Sequence, residues 1–238
     1  MYPDTFFEQL NRIDFLKNTN NYFGPWKTLD YIAKDRISDC IQQLDKLTDL
    51  VVFDAIFQLI PENAILQMAN SSVVRYCQLF DPIKNVRYES NRGTSGIDGS
   101  TSTAVGAAIA NPNQQHVLIT GDISFLYDSN ALWMTEFPRN LKIIVVNNQG
   151  GGIFKIIPGP ATSKQGTKYF EARQTHRAQP IATAYGLLSE SINEKSQLFQ
   201  ALEHLFDNKN NIQLLEIHTD SEQNPKDLDF FFNYLHKS

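Results

Sequence analysis

The sequence predicts an α/β fold in three layers, a parallel sheet sandwiched by helices, on three observations. Two short apolar runs rich in β-branched residues, His116-Val117-Leu118-Ile119-Thr120 and Lys142-Ile143-Ile144-Val145-Val146, stop abruptly at the turn residues Gly121-Asp122 and Asn147-Asn148. Unbroken apolar runs of this length are how strands covered on both faces read. The stretch between them, Tyr127 to Phe137, has helical spacing, with Leu126, Leu132, Trp133 and Phe137 able to share a face. The same alternation of strand-like and helix-like segments continues along most of the chain, which a helix-covered parallel sheet requires.

Residues 1–44 scatter Phe6, Phe7, Leu10, Phe15, Phe23 and Trp26 through polar sequence without a strand pattern. They read as a linker or docking arm leading into a domain at 45–238, or else as an ordinary pair of surface helices. Leu50 to Ile60 is an apolar helix stopped by Pro61. Ala64 to Ala69 is a strand, Asn70-Ser71-Ser72 caps a helix reaching Phe80, and Val86 to Glu89 is a second strand leading to glycines 93, 96 and 99. Thr101 to Ala110 is a helix of small residues, able to approach the sheet closely. Beyond Phe154, a loop with Pro158, Gly159, Pro160 and Gly166 is too long for a plain connection and is expected to be a lid or a disordered segment, a lid being the sharper reading. Pro180 to Tyr185 and Ser196 to Phe206 are helices, Ile212 to Ile217 is the last core strand, and Pro225 to Leu235 is a closing helix.

Composition excludes several classes. The formal charge of −5, with no basic cluster longer than a pair, argues against nucleic acid. Cys40 and Cys77 lie far apart with no histidine at metal spacing, so neither a disulfide nor zinc is expected. No apolar run approaches the roughly 18 residues of a spanning helix. Met1-Tyr2-Pro3-Asp4 is no secretory leader. A soluble, cytoplasmic protein without membrane insertion is the expectation.

The chemistry is expected where the two apolar runs end. In a right-handed crossover both strands finish at one edge of the sheet, bringing Asp122 and Asn148 together although they are 26 residues apart. A carboxylate, an amide oxygen and a backbone carbonyl from the glycine turn at Gly150 to Gly152 are hard donors, suited to Mg²⁺ shared with phosphate rather than to zinc. Ser124 is a candidate N-cap for the helix that follows. Taken alone, Asp122 reads equally well as a helix cap; its pairing with Asn147-Asn148 and the glycine run carries the metal reading. Ser71 and Arg75, four apart, would share a helix face, and an arginine there could hold a carboxylate, although a capping serine and a solvated arginine would look the same. The loop Asn91-Arg92-Gly93-Thr94-Ser95-Gly96-Ile97-Asp98-Gly99 does not have dinucleotide-binding spacing. Of the five histidines, only His176, just after the long loop, is a candidate for proton transfer.

Gly121-Asp122 followed by Asn147-Asn148 resembles the thiamine diphosphate signature of the decarboxylase and synthase superfamily, with Ile123 where glycine is usual. Asn70 to Arg75, Ser90 to Gly99, Gly121 to Asp128 and Asn147 to Phe154 together resemble the 2-succinyl-5-enolpyruvyl-6-hydroxy-3-cyclohexene-1-carboxylate synthases of menaquinone biosynthesis. The resemblance implies thiamine diphosphate with Mg²⁺, or Mn²⁺, held by Asp122, Asn148 and the Gly150 carbonyl. The cofactor would lie against Gly96, Ile97, Gly121, Ile123, Ser124 and Ile153, with Ile97 beneath it and the Gly96 carbonyl accepting from its aminopyrimidine. Ser71, Arg75, Arg92, Ile153 and Phe154 would meet substrate. The implied reaction decarboxylates 2-oxoglutarate and adds the resulting carbanion to isochorismate. The activating glutamate would lie in an N-terminal pyrimidine-binding domain, so the chain is expected to be a C-terminal piece, catalytically silent alone, sticky or oligomeric, and completed by that domain within a homo-oligomer. The alternatives are another thiamine-dependent decarboxylase, an acetolactate synthase-like enzyme, or an assembly module without turnover.

Overall fold

The computed structural model describes residues 3–12, 21–157, 159–163, 166–207 and 211–236; Phe15 and Pro158 lie outside them. The chain divides into two compact units, Met1–Asp39 and Cys40–Ser238. The first holds α1 (Pro3–Asn11) and most of α2 (Phe23–Gln42), with aromatic residues that pair locally: Phe6 with Phe7 at 5.3 Å in α1, and Tyr22, just before α2, with Trp26 at 6.2 Å between ring centres.

The second unit runs α3 (Asp49–Leu59), β1 (Ile65–Met68), α4 (Ser72–Cys77), β2 (Arg87–Ser90), α5 (Ser100–Ala110), β3 (His116–Gly121), α6 (Asp122–Tyr127), β4 (Leu141–Asn147), α7 (Ala178–Ala184), β5 (Ser189–Ile192), α8 (Leu198–Phe206), β6 (Leu214–His218) and α9 (Asn224–His236). The six strands form one sheet in the order β2-β1-β3-β4-β6-β5, and every pairing is parallel. The α/β expectation holds. Because β1 leads outward to β2 while β3 leads the other way to β4, the chain reverses direction between β1 and β3. In parallel α/β sheets the crevice beyond the strand C-termini at such a reversal is where ligands bind.

Strand alternation sends side chains to two cores. Leu118, Leu141, Ile143, Val145 and Leu214 pack against Ala104 and Ala108 of α5, Phe125 of α6, and Ala178 and Ala182 of α7. On the opposite face α3 packs on α4, α8 and α9. Each fully buried Leu or Ile contributes on the order of 1.5–3 kcal/mol. The alanines of α5 let its backbone lie close to β3, as its small residues foretell. With Gly99 at its N-cap position, α5 is capped from elsewhere: the buried Asp128 accepts from the Ser102 N–H at 2.7 Å and from its hydroxyl at 2.5 Å. Lys142, a charged residue in a core strand, donates from Nζ to the Ile212 carbonyl at 2.6 Å, and burial lowers its pKa.

Several elements differ from expectation. The helix expected over Tyr127 to Phe137 lies earlier, at Asp122–Tyr127; only a 3-10 turn, Ser129–Leu132, follows. Leu132 is buried while Trp133 is 78% exposed, so the helical spacing there does not describe one face. Helix α4 ends at Cys77 rather than Phe80. The edge strand β5, Ser-Glu-Ser-Ile, has no apolar run to announce it. An edge strand pairs on one side only and can stay polar. Among the described residues, no helix is long and apolar enough to cross a membrane.

Candidate functional site

All-parallel pairing puts the C-terminal ends of β1, β2, β3 and β4 on one edge, and the residues singled out by sequence fall there: Ser71 after β1, Arg92 after β2, Asp122 after β3, Asn148 and Gly150 after β4. The β1 end is tied to the loop after β2 by Asn70, which is buried. Its Nδ2 donates to the carbonyls of Asn91 (2.8 Å) and Gly96 (2.6 Å), and its Oδ1 accepts from Arg92 Nη1 (3.0 Å). The Gly96 carbonyl therefore already has one donor, with its second lone pair left for a ligand. Ser124 is not the N-cap of α6, since Gly121 holds that position. Instead its hydroxyl donates to the Ile97 carbonyl at 2.5 Å, locking the 91–99 loop onto the β3 end. Ser71 has φ 69° and ψ −124° and makes no capping hydrogen bond. This is a strained conformation for a residue with a side chain, of the kind that concentrates at ligand sites. Arg75 Nη1 rests on the Ser71 carbonyl at 2.6 Å, and both Arg75 and Arg92 are exposed.

The β3 and β4 ends form a buried polar corner. Asp122, 4% exposed, accepts from Gln174 Nε2 at 2.6 Å and from the backbone N–H groups of Ile123 and Gly150. Burial pushes its pKa up to about 6, against the pull of those donors and with a further upward push from the Asp49 carboxylate. The two asparagines take different roles. Asn147 faces the protein: its Nδ2 donates to Glu216 Oε1 at 2.7 Å, and its Oδ1 accepts from the Gln149 N–H at 3.1 Å. Asn148 donates from Nδ2 to Asp49 Oδ2 at 3.0 Å, while its Oδ1 is buried without a partner. An unpaired buried acceptor is costly, and such atoms call for an explanation such as an ion.

The glycine run is explained by the segment that crosses it. A Cβ on Gly150, at φ +147°, would stand 2.5 Å from the Glu171 carbonyl, and one on Gly151 would stand 3.1 Å from the same atom. A Cβ on Gly152 would meet the Asn148 amide at 2.8 Å. The Gly151 N–H donates to the Glu171 carbonyl, and Lys155 and Arg173 pin the crossing segment through Glu171 (3.0 and 3.2 Å) and Glu222 (2.8 and 3.0 Å). Gln174, carried by this segment, thereby reaches Asp122. Ile153 is buried, and Phe154 pairs with Phe170 at 5.6 Å between ring centres. His176 is exposed; only its carbonyl approaches the corner, accepting from Asn147 at 3.3 Å.

Four residues of this site carry no distinct functional signal in the sequence pattern. In sequence Asn70 looks like part of a cap, and Gln174 is one of the residues that follow the long loop. Glu216, fully buried in β6, accepts from the N–H groups of Ala178 (2.8 Å) and Gln179 (2.9 Å) and so fixes the start of α7; a charge inside an apolar strand was its signal. Asp49 heads α3, 99 residues before Asn148, and nothing local marks it.

The donor set fits a hard cation holding a diphosphate: one buried carboxylate, one buried unpaired amide oxygen and the carbonyls of a glycine turn at one sheet edge. Sequence comparison identifies the class. Residues 71–217, more than half of the chain, match the family described as thiamine pyrophosphate enzyme, C-terminal TPP binding domain, and the chain belongs to that family. Its relatives narrow the likeness to one enzyme. It is 43% identical over 188 residues to the 2-succinyl-5-enolpyruvyl-6-hydroxy-3-cyclohexene-1-carboxylate synthase of Christiangramia forsetii, covering 79% of this chain and 32% of that protein. To the synthase of the same name from Flavobacterium johnsoniae it is 40% identical, covering 99% of this chain and 42% of that protein. To that of Porphyromonas gingivalis it is 38% identical, covering 90% and 37%. The chain thus spans about a third to two fifths of the length of these curated relatives.

Proposed function

We propose that this chain is the diphosphate-binding part of a 2-succinyl-5-enolpyruvyl-6-hydroxy-3-cyclohexene-1-carboxylate synthase, acting on 2-oxoglutarate and isochorismate in menaquinone biosynthesis. The observation that carries the reading is the buried, unpartnered Asn148 Oδ1 at the same sheet edge as the buried Asp122 carboxylate. Mg²⁺, with Mn²⁺ as a substitute, would be held by Asp122 Oδ, Asn148 Oδ1 and the Gly150 carbonyl. When bound, thiamine diphosphate supplies the electron sink that lets a 2-oxo acid lose carbon dioxide.

The chain's own residues do the rest. Asp122 gives the charge that holds the cation against water, and Asn148 gives a neutral oxygen. The Gly96 carbonyl offers its free lone pair to the aminopyrimidine, and Ile97 and Ile153 give apolar walls. Gly121, Ile123 and Ser124 form the turn beside the diphosphate. Ser71, Arg75 and Arg92 meet the substrate carboxylates, and Phe154 lines the pocket; two cationic side chains suit substrates rich in carboxylate. Residues 45–238 are the diphosphate-binding domain in this reading and residues 1–44 the docking arm. A pyrimidine-binding domain supplies the activating glutamate, and a second copy of the enzyme completes the site. A cytoplasmic location belongs to the same reading, supported by the two buried free thiols.

Calorimetry of thiamine diphosphate binding, with and without Mg²⁺, tests the reading. Binding that needs Mg²⁺ is expected, with 2-oxoglutarate consumed only when a pyrimidine-binding domain is supplied. Diphosphate binding indifferent to Mg²⁺, or turnover by the chain alone, would count against it.

A further inference from the structure

An asparagine that serves as a metal ligand has an ambiguity a carboxylate lacks. Its two ends are nearly equal in size, and only the oxygen can hold a cation, so something must choose which end faces the site. At Asn148 the choice is made from 99 residues away: Nδ2 donates to Asp49 Oδ2 at 3.0 Å. Reversing the amide would set its oxygen against the Asp49 acceptor oxygen, exchanging a hydrogen bond for a repulsion between two acceptors.

The carboxylate is itself held so that it cannot follow. Its other oxygen accepts from the Thr219 hydroxyl at 2.6 Å, just past β6, and the Asp49 N–H donates to Asn224 Oδ1 at 2.9 Å, at the start of α9. Asp49 is 3% exposed, and all three of these contacts are with neutral groups. Gly152 leaves the room in which the Asn148 amide lies, since a Cβ there would stand 2.8 Å from its nitrogen. The outcome is that Asn148 Oδ1 is both buried and unpaired.

We propose that Asp49 is a positioning residue which, through its hydrogen bond to Asn148 Nδ2, fixes the Asn148 amide with its oxygen toward the cation. The inference rests on the reading of Asn148 as a metal ligand. Partners one step behind a metal ligand are worth roughly 10- to 100-fold in metal affinity.

The test measures Mn²⁺ affinity by electron paramagnetic resonance in the presence of thiamine diphosphate, for the parent chain, Asp49→Asn, Asn148→Ala and the double variant, with thermal melting to verify folding. Asp49→Asn keeps the side-chain size but can accept as readily as donate, so the Asn148 amide loses its fixed sense, and affinity is expected to fall by roughly tenfold or more. With alanine at 148 there is no amide to orient, so Asp49→Asn is expected to cost threefold less, or better, than it does beside Asn148. Any loss due to the missing charge or to looser packing is common to both backgrounds and cancels. Thr219→Val, which frees only the far carboxylate oxygen, is expected to give an intermediate loss and serves if Asp49→Asn does not fold. Affinity unchanged in Asp49→Asn and Thr219→Val, or equal losses in both backgrounds, would overturn the role of Asp49. Absence of Mn²⁺ binding in the parent would instead overturn the metal reading beneath it.

Discussion

The two halves of the candidate site are built in opposite ways. Where β3 and β4 end, the side chains are buried and fixed: Asp122 by Gln174 and two backbone N–H groups, Asn148 by Asp49, and the glycine turn by the segment through Glu171. Where β1 and β2 end, the buried polar side chain is Asn70. The cations beyond it, Arg75 and Arg92, are exposed and rest on the chain's own oxygen atoms at 2.6 and 3.0 Å. The first corner is pre-organised, which suits a ligand that stays. The second keeps its charges in water, ready to exchange one set of oxygen partners for another, which suits a ligand that comes and goes.

If that contrast is right, Asp122→Asn should give the largest effect. It removes the one charged donor, and Mg²⁺ affinity in the presence of thiamine diphosphate, read by calorimetry, is expected to fall by roughly 100-fold or more. The same change should stabilise the metal-free chain at neutral pH. The folded-state pKa of Asp122, about 6, lies above the ordinary carboxylate value. Its contribution to stability is therefore fully present below about pH 4 and lost as the pH rises through about 6. At pH 7.5 the buried charge costs up to about 3 kcal/mol. Denaturant melts of the metal-free proteins should show Asp122→Asn ahead of the parent at pH 7.5 and the gap closing by pH 4.5. A gap that widens in acid would mean that the corner is not strained by its own charge.

A backbone comparison sharpens the same point. Gly150→Ala forces a methyl group onto the Glu171 carbonyl at an unfavourable φ, and a loss of roughly 2–4 kcal/mol in urea unfolding is expected. Gly93→Ala, in the open loop with nothing within 4 Å of the added carbon, should change stability by less than about 0.5 kcal/mol. Similar costs at the two glycines would erase the distinction between a closed and an open corner.

The smallest effect on stability belongs to the arginines. Arg75→Ala and Arg92→Ala are expected to shift unfolding by less than about 0.5 kcal/mol, because both side chains are exposed. In the assembled enzyme each should raise the KM for a carboxylate substrate by roughly tenfold, the worth of one charge-assisted hydrogen bond. A destabilised protein with unchanged KM would make these arginines structural.

What the sequence determined by itself is what local pattern can encode. Buried strands announce themselves by unbroken β-branched runs, so β3 and β4 were legible, and with them the ends that carry Asp122 and Asn148. The small residues of α5 and the proline after α3 marked those helices, because close packing and a missing N–H act within a few residues. The glycine run was visible as a turn. The tertiary structure decided whatever depends on what lies opposite. Ser124 looks like a cap in sequence but spends its hydroxyl on Ile97, a loop 27 residues earlier. Gly150 and Gly151 are held to glycine by residues 170–173 crossing them, and Gly152 by the Asn148 amide lying against it. Asn147 and Asn148 are identical neighbours in the sequence. They face different partners, Glu216 and Asp49, because successive residues at a strand end point opposite ways and no local signal says what waits on either side.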